Sequence, residues 1–211
     1  MRMIAKAAEP QSLTQHRAQA HSDYNNYPQK DGLRTALVSE QKGLCCYCTG
    51  RIRADAVAMK IEHWQCQATY PQHQLAYGNL LGACLGGHGQ PAADQHCDTR
   101  KANRDLQWNP ATAAHMIETR LRYLSDGTVE STDAVFNDQL NSILGLNLQH
   151  LKNNRKAVLD TVLDWWRTVQ PVPKQRIQAQ IDQRTNHVAE HQPFSPVAVW
   201  FLQQKLGAAA A

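Results

Sequence analysis

Apolar and polar positions change period several times along this 211-residue chain. Residues 1–43 read as helices joined by loops. Ser12 is placed to cap a short helix reaching about His21, and SDYNNYPQKDG follows as a polar, turn-rich loop. Asp31 is placed to cap a second helix with Leu33, Leu37 and Val38 on one face, which Gly43 ends. The period then shortens to two. Residues 49–52 read as a short strand. Residues 58–64 read as another, with Met59, Ile61 and His63 on one face and Lys60, Glu62 and Trp64 on the other. Residues 65–77 and LGGHGQPAADQH read as loops, and DTRKANRDL as a helix with Asp98 near its start. Residues 115–124 alternate like a strand, Asp126-Gly127 supplies a hairpin turn, and Thr128-Val129 the return.

Helical spacing governs the remainder. Thr132 or Asp133 caps a segment running to about Leu144. Leu148, Leu151, Arg155, Val158, Leu159, Val162, Leu163 and Trp166 share a helical face, so Trp166 is expected in the core and Trp165 at its rim. Pro171 and Pro173 break that run. Ser195 caps and Pro196 opens a last helix with Val199, Leu202 and Leu206 on one face, and GAAAA reads as a frayed end. These elements predict an α+β protein in three parts: an N-terminal helical segment (1–40), a cysteine-bearing module (41–110), and a hairpin with C-terminal helices (111–211).

Composition changes the picture modestly. Apolar content of 42% is ordinary for a chain with a real core. No apolar run approaches a membrane span, and MRMIAKAAEPQSL lacks a secretory apolar region, so a cytoplasmic location and no membrane partner are expected. A net charge of +4 is compatible with a polyanion and does not require one. Four of the six cysteines stand in ligand-like contexts, and in a reducing compartment such clusters point to metal before disulfides.

Two chemistries alternate between Gln41 and Asn103. Cys45 and Cys48 lie in a tight turn whose spacing lets both sulfurs reach one ion, and Cys84 and Cys97 can complete a tetrahedral zinc site. Twelve residues separate the second pair, so the fold has to bring it together. Cys46 and Cys66 are expected spectators, with His88 and His96 as substitute ligands. The plainer alternative is four buried, inert thiols. Glu62 and His63 can supply an oxygen ligand and a base, and Asp98 a second oxygen from a helix start. Lys101 and Arg100 are candidate phosphate contacts, among a basic group that includes Arg51, Arg53, Lys60 and Arg104. The plainer alternative here is a surface Glu-His pair and a capping aspartate.

The order CxxC, EH, N, C and CDxxK resembles the HNH endonuclease superfamily over residues 41–103. That resemblance implies a zinc-braced ββα-metal core. It makes His63 the general base, Glu62 a ligand of catalytic Mg2+ or Mn2+, and Asn79 the residue that supports the loop and orients the base. Asp98 would be the helix-borne ligand, where the family usually has His or Asn. Cys45, Cys48, Cys84 and Cys97 become the structural Zn2+ ligands. Further segments, from MRMIAK to LNLQHLKNNRK, are similar to the PtuB-type HNH nucleases of Septu and retron-associated anti-phage systems. This wider likeness implies a PtuA-like ATPase partner. DNA is the default substrate, and RNA such as tRNA the alternative, alongside a zinc-ribbon binding or scaffold protein without catalysis.

Overall fold

The computed structural model describes residues 1–186 and 189–208; of the frayed end expected at 207–211, residues 207 and 208 are helical instead and 209–211 lie outside the described residues. Two short helices come first, α1 (Gln11–Arg17) and α2 (Lys30–Glu40). They bury Leu13, Leu33 and Leu37 against Tyr27, Leu75, Tyr77 and Leu80 in a small core. Neither expected cap serves as one. Ser12 lies inside α1, with its hydroxyl 2.8 Å from that of Tyr27. Asp31 lies in the first turn of α2 and pairs with Arg34 at 2.6 Å. In each case a side-chain partner outcompeted the orphan backbone donors.

The central unit is an antiparallel pair, β1 (Lys60–His63) and β2 (Leu80–Ala83), followed by the one-turn helix α3 (Cys97–Lys101). Register places Lys60 opposite Ala83, Glu62 opposite Leu81, and His63 opposite Leu80. Gly82 is where the cysteine turn docks. Its carbonyl accepts from the Cys46 amide at 3.0 Å and from Gln41 Nε2 at 2.8 Å, and Gln41 Oε1 accepts its amide at 2.6 Å. A Cβ there would meet the ends of the Ile52 and Met59 side chains at 2.9 and 3.1 Å, so a larger residue would have to push them aside. The strand expected at 49–52 is reduced to one bridge, Leu44 to Arg51.

The hairpin forms as β3 (Arg122–Tyr123) and β4 (Val129–Glu130), with Tyr123 opposite Val129. The longer strand expected over 115–124 does not form. Short 3-10 turns occupy Ala113–His115 and Ile117–Arg120 instead. Ile117 and Leu121, both buried, are four residues apart, and one helical turn satisfies that spacing as well as alternation does.

Asp133 caps α4 (Ala134–Asp138), accepting the Phe136 amide at 3.1 Å, and the segment continues as a π-turn over Gln139–Ile143. The long helix α5 (Gln149–Thr168) buries Leu151, Leu159 and Val162. Each such side chain contributes about 1.5–3 kcal/mol. Trp165 and Trp166 both sit half-buried against the core. Beyond the proline break, α6 (Lys174–Thr185) buries Ile177 and Ile181, a helix the sequence reading passed over. The last helix, α7 (Pro196–Ala208), buries Val197, Ala198 and Leu202. Ser195 precedes it, but its buried hydroxyl has no hydrogen-bond partner, so it is not the expected cap.

One large core draws on Met1 and Ile4, the cysteine turn, the hairpin and α4–α7 together. The architecture is therefore α+β, with the three segments read from the sequence sharing a single main core.

Candidate functional site

Three pieces of the chain bring the four thiols together. Cys45 and Cys48 come from the turn held on Gly82, Cys84 follows β2, and Cys97 opens α3. The twelve-residue insertion is closed at its base, where the His96 amide donates to Gly86 O at 2.9 Å and Thr99 Oγ1 to Leu85 O at 2.7 Å. Gly86 holds φ +58, and a Cβ there would lie 2.1 Å from the His96 carbonyl. Glycine therefore lets the two ends of the insertion close, and Cys84 approaches Cys97.

The four sulfurs all lie within 4.8 Å of one another. Cys45 and Cys97 are 3.8 Å apart, and Cys48 and Cys84 are 3.7 Å apart. A tetrahedron with zinc–sulfur bonds of about 2.3 Å has edges of about 3.8 Å, so the spacing fits. Cys45, Cys48 and Cys97 are buried, and none of the four is in a disulfide. Hydrogen bonds from the other thiols pull Cys45 below the usual range despite its burial. Cys48 is pushed up by Cys45 but falls to about 7 under hydrogen bonds from Cys84 and Cys97. Cys84, through Cys45, and Cys97, through burial, are pushed up. Four such thiols do not ionise together without a cation among them. They can hold a structural metal ion such as zinc.

Cys46 and Cys66 are spectators to this cluster, Cys66 lying 3.4 Å from Asn103 O. His88 is exposed. His96 does not replace a thiol. Its Nδ1 lies 3.2 Å from Cys97 Sγ and 3.9 Å from Cys84 Sγ, and the four-residue cluster does not include it.

Beside the thiols lies the polar group. Glu62 is 2% exposed, and its Oε1 accepts from Tyr47 Oη at 2.6 Å and from Lys101 Nζ at 2.8 Å. Burial and the adjoining Asp98 carboxyl push Glu62 up, and Lys101 opposes them. Asp98, partly exposed, pairs with Lys60 at 3.3 Å. Lys101 is fully buried and also donates to His63 O at 3.1 Å, so the phosphate contact read from the sequence is a structural tie instead. Arg100 is likewise spent on backbone, donating to Ser142 O at 3.2 Å and to Ala92 O and Ala93 O at 3.4 Å. Arg51 and Arg53 pair with Glu190 at 3.2 and 2.7 Å. Arg104 donates to Ser142 O at 3.2 Å.

His63 ends β1. Its Nε2 lies 3.0 Å from Gln74 O, and a carbonyl only accepts, so Nε2 carries the proton and Nδ1 is the acceptor in the neutral ring. Gln67 Nε2 lies 3.4 Å from Nδ1, and the Tyr24 ring stands edge-on at 4.4 Å. Burial pushes the imidazole down to about 4, against the pull of Gln74 O and Asp98. Asn79 does not touch His63. It braces the loop that carries Gln67 and Gln74, accepting the Gln65 amide at 2.8 Å and donating to Gln65 O at 3.0 Å and His73 O at 3.1 Å.

Fold and site together define an α+β protein with a cluster of four cysteines that could hold a metal ion. No protein-family model matches the sequence, and no curated protein matches it significantly. No helix among the described residues is long and apolar enough to cross a membrane.

Proposed function

We propose that this chain is a metal-dependent endonuclease of the HNH type, hydrolysing nucleic-acid phosphodiesters. One observation carries the reading: the order β1, β2, α3 over the thiol cluster. His63 ends the first strand, Asn79 directly precedes the second, and Asp98 stands in the first turn of the helix. This run reads as a ββα-metal motif braced by zinc.

In this reading His63 takes a proton from water through Nδ1, with Gln74 O fixing the ring and its tautomer. Burial keeps the imidazole neutral at the working pH. Asp98 is the carboxylate open to a hard cation. Glu62 does not fit that role, because it is closed from solvent and already accepts from Tyr47 and Lys101. A divalent ion such as Mg2+ or Mn2+ on Asp98, filling its sphere with water and phosphate oxygens, would neutralise charge on the scissile phosphate. Lys60, the partly exposed cation beside Asp98, takes the phosphate-contact role first given to Lys101. Asn79 acts by stiffening the loop behind His63. DNA is the default substrate and RNA the alternative. The likeness to anti-phage effectors adds a PtuA-like ATPase partner.

The closure of Glu62 and Lys101 favours a second reading, a zinc-braced binding or scaffold protein that does not cut. Cleavage assays on DNA and RNA, with and without Mg2+ and with and without a co-purified ATPase, separate the two. His63→Ala should lose at least about 100-fold in cleavage while keeping its zinc. A His63→Ala protein that cuts as fast as the wild type refutes the assignment of the base.

A further inference from the structure

Four thiolates around a doubly charged ion leave a formal charge of about −2. Three of these cysteines are buried and the fourth half-buried. Charge of that kind in an interior needs an opposite charge close by. His96 meets the cluster at Cys84 and Cys97.

Arg155 approaches from α5. It is 3% exposed and lines a small cavity together with Met1, Tyr47, Cys48 and Thr49. Its Nε donates to Gly127 O at 2.5 Å, and its Nη2 to Leu146 O at 2.7 Å and Asn147 Oδ1 at 3.1 Å. All three acceptors are neutral. No ion pair with a carboxylate satisfies it among the described residues. Asp126, the acid whose charge reaches it, is committed to Lys152 at 2.6 Å. Burial disfavours the guanidinium charge, and Tyr123, Cys48 and Cys97 favour it. A buried arginine without a carboxylate is unusual, and here it stands beside the cysteine that needs a cation.

We propose that Arg155 is the counter-charge of the four-cysteine centre, and that it couples ion binding to the seating of α5. The three hydrogen bonds hold the guanidinium in place beside Cys48, where its charge offsets that of the loaded cluster. The role belongs to the metal site and stands whether or not the chain is a nuclease.

The test measures zinc affinity of the full chain by competition with a chromophoric chelator, and thermal stability with and without zinc. Arg155→Gln keeps a polar side chain without the charge, and Arg155→Lys keeps the charge with a poorer hydrogen-bond set. Arg155→Gln should bind zinc at least about tenfold more weakly, and Arg155→Lys should stay within about threefold of wild type. A purely structural arginine gives a different pattern, with zinc-loaded and zinc-free forms losing stability alike and affinity unchanged. Wild-type affinity in Arg155→Gln, or equal losses in both variants, overturns the proposal. If Arg155→Gln is not recovered folded, the equally uncharged Arg155→Met takes its place: zinc affinity at least about tenfold weaker supports the counter-charge, and wild-type affinity overturns it.

Discussion

Lys101→Met is the most discriminating single change in the molecule. The lysine is fully buried, with Nζ 2.8 Å from Glu62 Oε1 and 3.1 Å from His63 O. Methionine fills nearly the same volume, so the perturbation is electrostatic. It leaves Glu62, 2% exposed and beside Asp98, without its cation, and orphans the His63 carbonyl. Breaking a buried pair from one side costs about 3–5 kcal/mol. For a chain of this size each kcal/mol lowers the melting temperature by about 2–4 °C, giving a fall of roughly 6–20 °C. Circular dichroism melts of the zinc-loaded protein read this directly. Adding Glu62→Gln should recover more than half of the loss, because Gln is neutral and still accepts from Tyr47. A lysine facing phosphate would behave otherwise. Its removal would leave the melt alone and lower the salt dependence of nucleic-acid binding by about one unit of slope. A Lys101→Met protein melting within about 2 °C of wild type refutes the buried-pair account.

Three further outcomes are expected. Cys48→Ser should lose bound zinc on metal analysis, whereas Cys46→Ser and Cys66→Ser should keep it, since only Cys48 belongs to the cluster. His63 titrates lower folded, at about 4, than an ordinary histidine at about 6.5. The unfolded chain therefore binds more protons in between, and stability present above pH 6.5 is lost as pH falls toward 4, by on the order of 3 kcal/mol. Subtracting a His63→Asn unfolding series from wild type removes the thiols' shared contribution, and a flat difference would contradict the buried neutral imidazole. Gly86→Ala should cost roughly 2–4 kcal/mol in chemical denaturation and weaken zinc binding, because its Cβ would lie 2.1 Å from the His96 carbonyl at the base of the insertion. A variant as stable as wild type would mean that the base of the insertion opens freely.

Much of this was legible in residue order, and particular residues show why the rest was not. Cysteine spacing carried the thiol cluster because zinc geometry restricts its ligands so strongly. Helical spacing carried α5, with Leu151, Leu159 and Val162 buried. The inward turn of Lys101 was hidden, since charge pattern says nothing about which way a one-turn helix faces. Arg100 and Arg104 were hidden for a related reason: the carbonyls they meet, such as Ser142 O, lie about forty residues away in sequence. The caps failed at Ser12 and Asp31, where Tyr27 and Arg34 offered nearer partners. His63 shows the remaining limit. Its neighbours Gln67, Gln74 and Tyr24 sit in loops whose polar composition gave no period to follow.

The cysteine turn is gripped by chain from far away. The His191 amide donates to Lys42 O at 2.9 Å, the Phe194 amide to Thr49 O at 3.0 Å, and Arg51 to His191 O at 2.6 Å. Mechanically, the segment leading into α7 is the back wall of the thiol cage. Shortening the protein from that end would strip the wall away, so a minimal fragment spanning residues 41–110 should not fold as a unit. Anything that grasped α7 would pull on the cage itself.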